Sequence, residues 1–152
     1  MRKLAAIVLA AAALGAAQPA WAESWQVTGN AGDAPQRAVY LVDTDSIVRD
    51  GDVVRFRTST VWESMEGDRD FDKSVTQRQG FCSSKSSKIM LNYVYAHGSL
   101  LDVHDTPGEM VTHSPNSVIR TALDAVCGER GYESEPLGDY EGAVRAWFAE
   151  TR

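Results

Sequence analysis

Cysteine is the first residue type in this chain with chemistry to assign. There are two, Cys82 and Cys127, and both lie downstream of an N-terminal segment that reads as a secretory leader. In an oxidising compartment, two thiols on one small chain are expected to form one disulfide. A redox-active pair would instead require Cys-x-x-Cys spacing, so that one thiol can resolve the other. Cys82 is followed by Ser83, Ser84 and Lys85, so a structural bridge is expected. Chain entropy assigns a loop of that length roughly 4 kcal/mol.

Metal chemistry finds two weaker candidates. Asp68, Asp70 and Asp72 resemble the opening of a calcium loop, which needs Gly at its sixth position and a bidentate Glu at its twelfth. Those positions hold Lys73 and Gln79, so the segment reads as a solvated acidic loop. His97, His104 and His113 gather with Asp102 and Asp105, and zinc accepts such ligands, but the spacing fits no ligand motif. No metal and no cofactor is expected.

Nucleophilic catalysis has less support. No Gly-x-Ser-x-Gly occurs, the bridge occupies both thiols, and His97-Gly98-Ser99 lacks a third group to orient the base. No catalytic residue is assigned, and the chain reads as non-enzymatic. Tyr93 and Tyr95, with Phe56 and Trp62, are expected as core and cross-strand contacts rather than as the lining of a ligand groove.

The leader occupies residues 1–22. Arg2 and Lys3 precede an apolar run over residues 4–17, Gln18 and Pro19 break it, and Ala20-Trp21-Ala22 offers a cleavage site before Glu23. The run is short of the roughly 20 residues that span a bilayer. It contains no Cys, so a cleaved, exported protein without a lipid anchor or membrane span is expected, in the periplasm or at the cell surface. Cleavage removes two cations and takes the net charge from −6 to −8. That acidity argues against nucleic-acid binding, which requires clustered Lys and Arg.

Residues 23–152 are one domain's worth of chain. Short strands are expected at 25–28 and 38–42, separated by a polar loop over 29–36. Residues 47–49, Asp50-Gly51 and 53–62 read as a hairpin, because Asp-Gly accepts the positive φ of a tight turn. In 53–62, Val54, Phe56, Thr58, Thr60 and Trp62 alternate with Arg55, Arg57 and Ser59, which predicts one buried face and one wet face. Further strands are expected at 74–82, at the alternating Ile89, Leu91, Tyr93 and Tyr95, and at 100–104, with Gly98-Ser99 as a turn. The period then changes. Ser114-Pro115 is a helix start, Val118, Ile119, Ala122, Leu123 and Val126 form the stripe, and Gly128 ends it. A polar linker over 129–138 leads to a second helix, capped by Asp139, with Tyr140, Ala143, Val144, Trp147 and Phe148 on one side. Strands followed by helices imply an α+β fold with an antiparallel sheet. A Cys82–Cys127 bridge would clamp the first helix to one sheet face.

Trp25, the run from Tyr40 through Val-Asp-Thr-Asp-Ser-Ile-Val-Arg-Asp to Gly51, Gly80-Phe81-Cys82, Tyr93-Val94-Tyr95, Ser114-Pro115-Asn116-Ser117 and Leu123-Asp124-Ala125-Val126-Cys127-Gly128 occur in an order that resembles the surface-adhesin protein E family. The resemblance covers residues 25–128, with 129–152 outside it. It implies an antiparallel sheet of about six strands, with a helix held on the concave face by a disulfide matching Cys82 and Cys127. It also implies an adhesin-like envelope protein whose partners are host or other extracellular proteins, although the family's lipid-bearing Cys is absent from this leader. The alternative is a periplasmic housekeeping or small-ligand-binding domain that shares only the fold.

Overall fold

The computed structural model describes residues 23–151 except residue 66; the expected leader, with Ala22, lies outside them. Seven strands and two helices follow in order: β1 (Trp25–Ala31), β2 (Ala38–Asp50), β3 (Val53–Trp62), β4 (Lys73–Phe81), β5 (Ser86–Ala96), β6 (Ser99–His104), β7 (Val111–Thr112), α1 (Val118–Val126) and α2 (Tyr140–Glu150). Strands β1 to β6 form an antiparallel meander in sequence order, and β7 pairs with the start of β5. The α+β architecture is the expected one, with the two-residue β7 added.

Strand β2 merges two segments expected to be separate. Its register to β3 jumps from Asp43↔Arg57 to Val48↔Arg55, a bulge that takes up the extra residues. The Ser46 hydroxyl bridges it, accepting from the Arg57 N–H at 2.8 Å and donating to the Asp43 carbonyl at 2.6 Å. The hairpin turn lies one residue later than expected. Asp50 pairs with Val53, so Gly51-Asp52 is the two-residue loop, with Gly51 at φ 58°. That is where a II′ turn places its glycine.

The expectation of one buried and one wet face along β3 is overturned. Val54 and Phe56 are buried on one side, and Ser59 and Val61 on the other. The two faces serve two cores. Val42, Val54 and Phe56 pack under Ala122, Leu123 and Val126 of α1. Trp25, Val39, Leu41 and Val61, of opposite parity, pack under Tyr140, Val144 and Phe148 of α2. The sheet is therefore a middle layer between two helices.

The cap of α1 is Ser117, not Ser114: its side chain accepts from the Arg120 N–H. Residues 115–116 form a turn instead, closed by Ser117 N–H donating to the Ser114 carbonyl at 3.1 Å. The helix ends near Gly128 as expected. The N–H groups of Gly128 and Glu129 return to Ala125 and Asp124, a Schellman pair. Asp139 caps α2 through the Gly142 N–H. The disulfide joins Cys82, just past β4, to Cys127 at the end of α1. Beside it, a Cβ on Gly80 would stand 2.6 Å from Leu123 Cδ1, so the absent side chain lets the helix lie close on β4.

Residues 129–138 are more than a linker. Glu133 and Leu137 donate backbone hydrogen bonds to Val27 and Trp25, and the Ser134 hydroxyl accepts from the Val27 N–H. This segment seals the free edge of β1 and carries the chain from one sheet face to the other. Arg37 fixes the end of α2. It is buried, paired with Glu63, donates to the Phe148 carbonyl at 2.8 Å, and stacks on the Trp147 and Phe148 rings. A cation at helix C-terminal carbonyls is favourable.

The bridge spans 45 residues of sequence, for which chain entropy gives roughly 4 kcal/mol. Replacing both cysteines by serine is expected to lower unfolding free energy by about that amount in urea titration. A change under about 1 kcal/mol would show that α1 is held by packing alone.

Candidate binding surface

The two helices cover the same half of the sheet from opposite sides. Helix α1 lies over β1 to β3, and α2 packs on Trp25, Val39, Leu41 and Val61 from those strands. On the α2 side the register aligns residues into rows across the sheet: Val48, Arg55, Gln79 and Lys88, then Asp43, Arg57, Gln77 and Leu91. The next rows carry Val75, Tyr93 and Val103, and Lys73, Tyr95 and Leu100. Beyond the reach of α2 these side chains form an open surface.

Asp43 anchors one end. It is fully buried, accepts from the backbone N–H groups of Ser24 and Asp45, and pairs with Arg57, whose Nε lies 3.0 Å from Oδ2. Burial opposes the Arg57 charge, but Asp43 and Glu23 outweigh it and raise the guanidinium pKa. A cleft of about 700 Å³ opens here, lined by Arg55, Arg57, Gln77, Gln79 and Met90. Arg57, Gln77 and Glu23 also line a second cleft, of about 350 Å³, walled by Trp25, Tyr93, Tyr95 and Tyr140. Burial pushes the Tyr140 phenol up to about 12, although its hydrogen bond to Ser59 pulls the other way.

The surface ends at β6, every residue of which is exposed. Leu100, Leu101 and Val103 stand 52%, 51% and 40% exposed. Met110 and Val111 are exposed in the segment that returns along β5, where the Gly108 N–H donates to Ile89. Among the described residues no strand pairs with the outer edge of β6. Soluble proteins blunt such edges with charge. Here Asp102 accepts from the Val103 N–H at 2.8 Å, and the neighbouring side chains stay apolar.

The residues singled out from sequence are dispersed. His97 sits in the β5–β6 turn, 3.9 Å from Asp72, and His104 on β6 is 3.6 Å from Asp102. His113 precedes α1, with Nε2 2.7 Å from the Ser87 hydroxyl. Among the described residues no three His, Cys, Asp or Glu side chains are grouped to hold a metal. The acidic loop is not uniformly solvated. Asp68 and Asp70 are exposed, but Asp72 is buried, accepts from the His97 N–H and pairs with Arg145 of α2 at 3.0 Å. Tyr93 and Tyr95 are half-buried groove residues rather than core, and Phe56 faces the other way, under α1. The Met90 bulge, where the β4–β5 register shifts, separates Ile89 from the Leu91 face. Arg55 and Lys88 were not singled out, because strict alternation along β5 sets Lys88 opposite Leu91 and Tyr93, and only the bulge at Met90 brings it to their face.

A family model described as surface-adhesin protein E matches residues 25–128. Among solved structures, crystal form II of protein E from Haemophilus influenzae is similar over 59% of this chain and 80% of that one, at 16% identity and a TM-score of 0.46. No curated protein sequence matches the chain.

Burial lowers the His113 pKa below 6.5, and the Arg78 and Arg120 charges lower it further. The unfolded chain therefore binds a proton more readily, and stability rises with pH across that window. Unfolding free energy is expected to fall as pH drops from 7 through about 6.5 and to level off below the folded pKa. His113→Gln should flatten this slope. An unchanged slope in the variant would assign it to other groups.

Proposed function

The chain belongs to the surface-adhesin protein E family, and from that premise we propose an exported, non-enzymatic binding protein of the cell envelope. Its partner is an extracellular protein, engaged by the half of the sheet that the helices leave bare. In this reading residues 1–22 are removed between Ala22 and Glu23, and 23–128 form the binding domain without a lipid anchor. The 129–152 segment supports that domain by closing the β1 edge and covering one face. No helix among the described residues is long and apolar enough to cross a membrane.

The observation that carries the proposal is β6. An edge with which no strand pairs among the described residues, bearing Leu100, Leu101 and Val103 beside Tyr93 and Tyr95, sets strand backbone next to apolar and aromatic contact area. Exposed apolar patches of that kind mark interaction sites, and edge strands accept added strands. Aromatic side chains at the centre of such a patch supply most of the binding energy in many interfaces.

The test is binding to a panel of immobilised matrix and plasma proteins, comparing wild type with Leu101→Asp and Val103→Asp. Both positions are exposed, so folding should be unaffected, as circular dichroism can verify. At least one panel protein is expected to bind, with affinity lowered roughly tenfold or more by either substitution. Equal binding by the variants would remove β6 from the interface. The cleft of about 700 Å³ beside Arg55 favours a second reading, a periplasmic small-ligand-binding domain. Failure of every panel protein to bind would move the weight to it.

A further inference from the structure

Strands β3, β4 and β5 carry Arg55, Arg57, Lys73, Arg78 and Lys88 and not one Asp or Glu. The whole chain has 21 acidic residues against 15 basic, so the charge pattern of these strands runs opposite to that of the protein. Arg78 lies on the α1 side, beside Thr58, where burial lowers its pKa to about 10. The register places the other four on the open face.

Two of those four are already neutralised. Arg57 is paired with Asp43 and Glu23, and Lys73 with Glu141. The side chains of Arg55 and Lys88 have no ion pair or hydrogen bond among the described residues. They flank Gln79 in one row, with exposed Val48 at its end. Two strand spacings put their backbones roughly 10 Å apart. Same-side residues of an extended peptide recur about every 7 Å, a mismatch that two long side chains absorb. The Gln77 and Gln79 amides add donors and acceptors between the cations.

Resting on the protein-binding reading above, we infer that the partner presents an extended, carboxylate-bearing polypeptide segment to Arg55 and Lys88. Guanidinium and ammonium groups form charge-assisted hydrogen bonds with carboxylates, which are stronger than neutral ones. The acidic remainder of the chain disfavours such a segment everywhere else, so the cationic row also fixes register. A densely sulfated polysaccharide fits less well. Glu23, Asp43 and Asp45 line the cleft with Arg55 and Arg57, the Arg78 guanidinium lying on the other face beside Thr58, so three carboxylates stand against two cations there. Isolated carboxylates can reach the two free cations, whereas a continuous polyanion would meet Asp45.

The experiment uses the exported form of the protein and three probes in fluorescence anisotropy: a labelled peptide of alternating Glu and Thr, its Lys–Thr counterpart, and heparin. The Glu–Thr peptide is expected to bind and to weaken with added salt. Arg55→Glu with Lys88→Glu should reduce that binding roughly tenfold or more, since loss of charge pairs costs on that scale. Equal binding of the Glu–Thr peptide by the double variant, no binding by wild type, or preference for the Lys–Thr peptide would each overturn the inference. Tighter heparin binding lost in the same double variant would reassign the row to a sulfated polysaccharide. Should the row fail while Leu101→Asp still weakens binding to a panel protein, only the partner's chemistry is wrong. Loss of both results removes the protein-binding reading as well.

Discussion

Covering a sheet of six long strands requires more apolar surface than this chain supplies. An antiparallel sheet buries a face only where something packs on it, and the two helices are nine and eleven residues long. Both dock over the β1–β3 half, one on each face. That shared placement determines the rest. It concentrates two cores at one end of the sheet and leaves the α2 side of β4 and β5 partly open and β6 as an exposed edge.

Different forces hold the two helices. A covalent bridge and the close approach of Leu123 to Gly80 fix α1. Helix α2 depends on the apolar contacts of Tyr140, Val144 and Phe148 and on charged tethers at intervals along its length. Lys73 meets Glu141, Asp72 meets Arg145, and Arg37 caps the last turn. The Arg145 guanidinium also donates to the Trp62 carbonyl at 2.6 Å. These groups come from the residue before β2, the end of β3, the start of β4 and the loop between those two strands, so α2 also fixes the loop that carries the acidic residues. The segment outside the family match is thereby part of the domain's own packing.

Much of this could be read from the chain. The change from period two to helical period, the Asp139 cap and the two cysteines marked the elements and the bridge. What the periodicity hid was the second core. Alternation along β3 identifies two faces but not that Ser59 and Val61 lie under a helix some eighty residues away. Nor could it show that Asp72 is an anchor, because its burial comes from Arg145 and the β5–β6 turn. The open surface was legible only in fragments. Leu100, Leu101 and Val103 read as an ordinary strand, and only the sheet order reveals that this strand is the edge. The row from Val48 to Lys88 exists only once the bulges at Asp43–Val48 and Met90 set the registers.

The central claim, that the helices protect β1 to β3 and leave the β6 edge bare, is tested most directly by hydrogen exchange with peptide-level mass spectrometry on the oxidised protein. Backbone amides open with free energies from near zero up to the global value, depending on how well their segment is packed. The expected result is exchange in β2 and β3 limited by global unfolding, with β6 and β7 exchanging far faster. Protection of β6 equal to that of β2 would contradict the account, because it would mean that the edge is covered in the free protein.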